Sequence, residues 1–356
     1  MRSYQLGLLP GDGIGPEIIK ATLAILEAAA QKSGQVRFKW RHLPIGWAAI
    51  RSAGQPLPPE TVQKLTTCQG WLLGPHDSVS YPEQFKQTLN PSGQLRLKFD
   101  LYANIRPAKT IPGLPSLAKN TDLVIVRENT EGFYPDRNMH QGVGEVMPTP
   151  ELALVTGVFS KRASERIAQV AFQLAQSRRR RVTIAHKANV IRLGHGLFRD
   201  TCRAVGQSYP EVKVDELHID ALMAHLVRRP EKFDVIVTTN MIGDIVSDLT
   251  AELVGSLGLG GSLNAGDDYA MAQAVHGAAP DIAERGIANP VGMMRSAVML
   301  LAWLSTKYGH QPLAAVAQMI DQAIDDTLST GPRTPDLGGS AGTAAFTQAV
   351  RDRIQA

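Results

Sequence analysis

An α/β fold, with a largely parallel sheet and helices on both faces, is predicted by two observations. Short apolar runs rich in Val, Ile and Leu alternate with longer helical stretches, the pattern of a sheet covered by crossover helices. Several of these runs also end abruptly on ionisable residues, and in open α/β sheets ligands gather beyond strand ends.

Taken in order, residues 4–9 read as a strand, followed by the loop Pro10-Gly11-Asp12-Gly13-Ile14-Gly15-Pro16-Glu17 and an amphipathic helix to about Gln31. Pro16 suits a first helical turn, where its missing N–H costs nothing. The loop resembles a dinucleotide fingerprint, but its spacing is not G-x-G-x-x-G and no acidic residue closes a second strand about 20 positions on, so a Rossmann fold is not indicated. Strands follow at 70–74, 101–105 and 123–126. The stretch 139–159 lacks helical periodicity and predicts a protruding hairpin suited to dimerisation. A helix over 160–177, strands at 182–186, 214–219 and 234–240, and a helix over 242–257 complete the alternation. Residues 258–268 read as the most loop-like segment.

Composition narrows the class. The chain has 356 residues, 44% of them hydrophobic, enough for two domains with separate cores. The apolar stretch 293–304 is interrupted by Arg295 and is too short for a membrane span, and Met1 leads into a strand rather than a signal segment, so a cytoplasmic, membrane-free protein is expected. Cys68 and Cys202 lack metal-ligand spacing and read as reduced buried thiols. A net charge of +4 with one basic run, Arg178 to Arg181, at a predicted helix end reads as a solvated helix terminus, not a nucleic-acid surface.

Three stretches carry the chemistry: Arg127-Glu128-Asn129-Thr130-Glu131-Gly132-Phe133-Tyr134, His186-Lys187-Ala188-Asn189-Val190, and Thr238 to Asp248. Asp244 and Asp248 lie four apart on a predicted helix, so both carboxylates share one face and suit a divalent cation such as magnesium. Arg96 and Arg106, flanking the predicted strand 101–105, join Arg127 as candidate clamps for a small polycarboxylic acid. Tyr134 and Lys187 are candidate proton-transfer groups, expected to have lowered pKa values if they share that crevice with a metal and arginines.

These stretches, with Leu9 to Glu17, Arg96 to Pro107, His276 to Pro290 and Pro335 to Thr343, resemble the β-decarboxylating dehydrogenase family of isocitrate, homoisocitrate, 3-isopropylmalate and tartrate/D-malate dehydrogenases. The motifs look most like its NAD-linked isocitrate/homoisocitrate branch. The resemblance implies an isopropylmalate-dehydrogenase-like fold of two domains around a large mixed, mostly parallel sheet. The first, carrying the cofactor loop, is 1–100 plus 256–356; the second is 101–255, with a dimerisation arm at about 139–159. It implies that Arg96, Arg106 and Arg127 hold the malate part of the substrate, that Tyr134 is the acid, and that Lys187 handles the hydroxyl proton. Asp220 would join Asp244 and Asp248 around Mg²⁺ or Mn²⁺, with Lys187 and Asp220 acting in a neighbouring subunit's site of a homodimer. Asn189, Gln273, His276, Gly277, Ala279, Asp281, Ile282 and Asn289 match the cofactor contacts. Asp281-Ile282 stands where NADP-dependent members tend to carry Lys-Tyr, which favours NAD; the bland alternative makes Asp281 a helix N-cap.

Two departures bear on function. Gln273 replaces a usual glutamate on the nicotinamide side, which leaves a non-catalytic regulatory subunit as an alternative of another class. Asn90, Ser92 and Gly93 occupy the specificity segment before Arg96. Polar Asn90 and Ser92 favour a third carboxylate, as in isocitrate or homoisocitrate, over 3-isopropylmalate, tartrate or D-malate. The small Gly93 equally opens room for a larger 3-substituent.

Overall fold

The computed structural model describes residues 1–86 and 88–356. Among the described residues twelve strands form: β1 (Arg2–Leu9), β2 (Val36–His42), β3 (Gly70–Leu73), β4 (Ala103–Lys109), β5 (Asp122–Glu128), β6 (Glu145–Thr149), β7 (Leu152–Val155), β8 (Arg181–His186), β9 (Lys213–His218), β10 (Val235–Thr238), β11 (Leu263–Ala265) and β12 (Ala270–Gln273). Ten of them make one mixed, mostly parallel sheet in the order β2-β1-β3-β12-β11-β4-β5-β10-β8-β9. Pairing is parallel except where β11 meets β12 and β4, and where β4 meets β5. The strand direction therefore reverses in mid-sheet, and a single carboxyl edge does not exist. The ends of β5, β10 and β8 do share one edge, because those three pair in parallel.

Helices cover both faces. The helix Gly15–Ser33 packs with Val291–Tyr308, Gln311–Thr330 and Thr343–Gln355 over the β1–β3 end, burying Ile18, Leu26, Leu300, Ile320 and Phe346. Around β5, β8 and β10, Lys161–Gln176 buries Ile167 and Phe172 on one side, while Ile219–Arg228 and Asn240–Leu253 bury Leu222, Leu226 and Val246 on the other. Removing each such side chain from water contributes roughly 1.5–3 kcal/mol. No helix among the described residues is long and apolar enough to cross a membrane. Cys68 and Cys202 are separate, buried thiols.

The predicted hairpin within 139–159 forms as the two-stranded sheet β6-β7, leaving Val146, Leu152, Leu154 and Val155 exposed. Other expectations need correction. The strand expected at 101–105 starts at Ala103 and runs on through Arg106, so Arg106 lies inside a strand and does not flank one. The helix expected over 242–257 is Asn240–Leu253, starting directly after β10 with Thr239 as its N-cap residue. The segment 258–268 is not a plain loop: it contains buried β11, whose three-residue length hid it from pattern reading. The basic run does follow a helix end, with Arg179 and Arg180 exposed, but three of its guanidiniums are engaged by the protein and not merely solvated. Arg178 pairs with Asp122 and with buried Asp234, Arg179 donates to backbone carbonyls of Asp122 and Phe233, and Arg181 pairs with Asp215. Those guanidiniums tie strand starts together.

Candidate active site

The glycine loop after β1 positions one wall. Gly13 has φ +54° and an added Cβ would fall 2.0 Å from the Ala278 carbonyl, so only glycine lets this loop lie against the segment that follows β12. The Ile14 amide donates to that same carbonyl at 2.9 Å. Asp12, buried beside it, accepts from the Trp47 amide (2.8 Å), the Asp77 amide (3.1 Å) and the Tyr81 hydroxyl (2.5 Å). One carboxylate thus anchors the turn that carries His76.

Arginines build the opposite wall. Arg127, at the end of β5, is 2% exposed, and its Nε and Nη2 donate to Asn240 Oδ1 at 3.0 and 2.7 Å. Its chain passes over Gly243, where a Cβ would sit 2.6 Å from its Cγ. Arg106 donates to Asn104 (2.5 Å) and Ser247 (2.7 Å) and approaches Asp244 at 3.2 Å and Asp248 at 3.4 Å. Arg96 comes from the helix Pro91–Lys98; burial and its arginine neighbours 127, 137 and 106 push it well below its ordinary pKa. Burial and Arg127, offset by Asp244, bring Arg106 down to about 10.

These groups converge with Tyr134 and Asp244 on a cavity of about 250 Å³, lined also by Asn90, Ser92, Gln273, His276 and Gly277. Tyr134 donates to Asp244 Oδ2 at 2.5 Å. Burial, opposed by Arg127 and reinforced by Asp244, raises the phenol above its ordinary pKa. The expected lowering is reversed, because burial, reinforced by Asp244, outweighs the opposing charges of Arg127 and Arg137. Asp244, pushed up by burial, is nonetheless held below the usual carboxylate range by Arg127 and Arg106. Burial raises Asp248, with Arg106 opposing and Asp244 adding.

Lys187 and Asp220 lie elsewhere. They pair with each other at 2.7 Å and do not line the cavity, so within one chain Lys187 and Tyr134 do not share a crevice. Among the described residues no three acidic, cysteine or histidine groups of a single chain gather as a metal site. Asp244 and Asp248 still fit a hard cation. They present only carboxylate oxygens one helical turn apart, and Asp244 raises the cost of ionising Asp248, which a bound cation would offset.

The residues matched to cofactor contacts divide. His276 and Gly277 line the cavity, and Ala279 adopts a left-handed conformation at φ 40°. Asp281 is exposed in the short turn Pro280–Ile282, where Ala279 and not Asp281 is the capping residue, so the N-cap alternative fails. Ile282 is half-buried against the apolar core around β1–β3. Asn289 is engaged by the protein, accepting from the Val291 amide and donating to Asp336. Asn189 is exposed beyond β8, away from the cavity.

The specificity segment also differs from expectation. Asn90 Oδ1 caps the helix Pro91–Lys98 by accepting from the Gly93 amide at 2.8 Å, so half of its hydrogen-bonding capacity is already used. Gln273 accepts from Ser92 (2.9 Å) and Arg96 (3.3 Å), placing it on the arginine side of the pocket. Gly93 opens no room: a Cβ there would meet Leu89 Cδ1 at 2.5 Å. Leu89 instead lines a second cavity of about 410 Å³ that shares Ser78 and Asn90 with the first.

Sequence reading missed His76 and Arg137, both in the first cavity. Each carried a usable signal: His76 follows the apolar run of β3, and Arg137 lies three residues beyond Tyr134.

A family model for isocitrate/isopropylmalate dehydrogenase matches residues 5–354. The chain is 43% identical over 354 residues to an isocitrate/homoisocitrate dehydrogenase of Thermus thermophilus, covering 99% of both chains. It is 38% identical to a 3-isopropylmalate dehydrogenase of Methanothermobacter thermautotrophicus over all of both, and 41% identical to that of Archaeoglobus fulgidus over 97% and 98%. The structure is similar to isocitrate dehydrogenase from Methylococcus capsulatus, with a TM-score of 0.88, 35% identity, and coverage of 99% of this chain and 100% of that one.

Proposed function

The chain belongs to the isocitrate/isopropylmalate dehydrogenase family and is a decarboxylating dehydrogenase; from that premise we propose that it oxidises a 3-substituted malate bearing a third carboxylate, isocitrate or homoisocitrate, with NAD and Mg²⁺ or Mn²⁺. One observation carries the reading: Arg96, Arg106, Arg127, Tyr134 and Asp244 meet in a single cavity bordered by polar Asn90 and Ser92. The three arginines hold the malate carboxylates through charge-assisted hydrogen bonds. Asp244 and Asp248 hold the cation with Asp220 of a second copy of the chain, since Asp220 is remote from them within one copy. When bound, the cation supplies Lewis acidity and NAD accepts a hydride. Lys187 of that second copy takes the proton of the 2-hydroxyl. The 3-carboxylate leaves as CO₂, and Tyr134 returns a proton to the carbon it leaves.

Coenzyme choice rests on Asp281, whose carboxylate accepts from ribose hydroxyls and repels a 2′-phosphate. His276, Gly277, Ala279, Ile282 and Asn289 complete the cofactor surface within one chain; Asn189, remote from the cavity there, would join it from a second copy, and Gln273 stands on its border with the arginines. The homodimer is favoured by the exposed apolar side chains of β6-β7, because an isolated two-stranded hairpin is marginal in water. The two-domain division, 1–100 with 256–356 against 101–255, fits the separation of apolar cores around β1–β3 and around β5, β8 and β10. Reduced buried thiols fit a cytoplasmic enzyme.

A panel of 3-substituted malates, assayed for NADH or NADPH formation with and without Mg²⁺, tests the reading. Isocitrate or homoisocitrate with NAD is expected to give the highest kcat/KM. Preference for 3-isopropylmalate would move the substrate assignment, and no turnover of any 2-hydroxy-3-carboxy acid would favour a regulatory subunit.

A further inference from the structure

Two side chains in the cavity remain unexplained once the malate-binding set is assigned. Arg137, in the turn Pro135–Arg137, has a side chain only 4% exposed. Its Nε donates to neighbouring Asp136 at 3.1 Å and its guanidinium lies 4.7 Å from the Tyr134 ring centre, but Nη1 is buried without a partner. His76 lines the same cavity, and both its ring nitrogens are shielded from solvent and unpartnered. A buried donor left unpaired keeps its desolvation penalty with no bond to offset it, and a charged donor keeps more. Such groups persist where a ligand completes them.

We propose that Arg137 and His76 form a recognition subsite for a third anionic group, carried on the 3-substituent of the malate-type substrate. The assignment rests on the reading of this cavity as a malate site. Four arginines line the cavity against one aspartate, and that aspartate is already engaged by Arg127, Arg106 and Tyr134. Arg96, Arg106 and Arg127 suffice for the two carboxylates of the malate core, so the charge on Arg137 has no counterion there beyond Asp136 at Nε. Burial, with Asp12 opposing and Arg96 adding, brings the His76 pKa down to about 4, so at neutral pH the ring offers one N–H donor and one acceptor. The subsite has space beside it, because the second cavity adjoins at Ser78, two residues beyond His76, and at Asn90. A carboxylate and a phosphonate share the chemistry that this pair recognises.

Calorimetric titration of the full-length enzyme in Mg²⁺ with three unreactive succinates tests the subsite: propane-1,2,3-tricarboxylate, phosphonomethylsuccinate and isopropylsuccinate. The wild type is expected to bind at least one tri-anion about tenfold or more tighter than isopropylsuccinate. Arg137→Gln should weaken the preferred tri-anion by about ten- to a hundredfold and isopropylsuccinate by less than about threefold. Arg137→Lys should recover part of the loss, and His76→Leu should show a smaller loss of the same selectivity. Tighter tricarboxylate binding identifies a carboxylate and tighter phosphonate binding a tetrahedral anion; either upholds the subsite. Equal weakening of all three ligands, or wild-type preference for isopropylsuccinate, overturns it. Turnover with unselective binding removes the subsite alone, whereas selective binding without turnover removes the dehydrogenase substrate assignment and leaves the subsite standing.

Discussion

Asp244 serves Tyr134 and Arg106 at once: its Oδ2 accepts the phenol at 2.5 Å, while its Oδ1 stands 3.2 Å from the Arg106 guanidinium. The proposed acid is thus held protonated by a carboxylate proposed to bind the cation. Binding a cation at Asp244 competes with the phenol, which would release Tyr134 toward substrate.

Replacing Tyr134 by phenylalanine separates those two roles. Mn²⁺ affinity, followed by electron paramagnetic resonance, should stay within about threefold of wild type, because only a competing donor is lost. Turnover should fall by about 10²-fold or more, the usual contribution of general acid catalysis. Parallel loss of metal binding would make the phenol a structural prop of the site.

Lys187 and Tyr134, apart within one chain, should complement each other between chains. Lys187→Ala and Tyr134→Phe variants, each inactive, are expected to regain activity after subunit exchange. A mixed dimer then holds one intact site and one doubly damaged site, so recovery tops out at about half of its sites. No recovery despite exchange demonstrated by native mass spectrometry would count against shared sites.

Gln273 accepts from both Ser92 and Arg96, so a charge there should act on substrate. Gln273→Glu would pair ionically with Arg96, drawing it from the substrate carboxylate and raising the substrate KM by about three- to tenfold. If only the NAD KM moves, the residue belongs to the coenzyme side.

His195 Nδ1 accepts the Lys187 amide at 2.9 Å, a bond that requires the unprotonated nitrogen. Burial, with His186 adding, brings the His195 pKa down to about 4. Because the folded pKa lies below the unfolded value near 6.5, the contribution to stability is complete above about pH 6.5 and disappears as pH falls toward 4. Urea denaturation between pH 7 and 4.5 should show the wild type losing up to about 3 kcal/mol more than His195→Gln. Identical pH profiles would rule out this linkage.

Asp234, only 1% exposed, accepts from Arg178 at 2.8 Å. Arg178→Ala leaves that carboxylate short of its counterion and should cost about 2–4 kcal/mol by chemical denaturation. Adding Asp234→Asn should restore part of the loss, whereas a loss below about 0.5 kcal/mol would reduce the pair to surface charge.

The sequence by itself determined the local pieces. Leu123 to Val126 and Val235 to Val237 declare buried strands through unbroken β-branched and apolar runs, and the i,i+4 spacing of Asp244 and Asp248 places both carboxylates on one helical face. Arg106, Arg127, Tyr134, Asp244 and Asp248 were legible because ionisable residues gathered at the ends of apolar strands have few structural uses, whereas Asp220 was legible only through the family resemblance. The long-range pairings were decided only by the tertiary structure. Leu263–Ala265 is too short for periodicity to mark it, and although β12 pairs with it locally, its antiparallel pairing with β4 joins residues 160 apart, as Asn104 and Asn264 illustrate. Gly93 read as vacant space until the fold put Leu89 over it. His76 and Arg137 stayed silent because an unpaired buried nitrogen is a property of surroundings, and spacing along a chain does not reveal which donors the packed structure leaves without an acceptor.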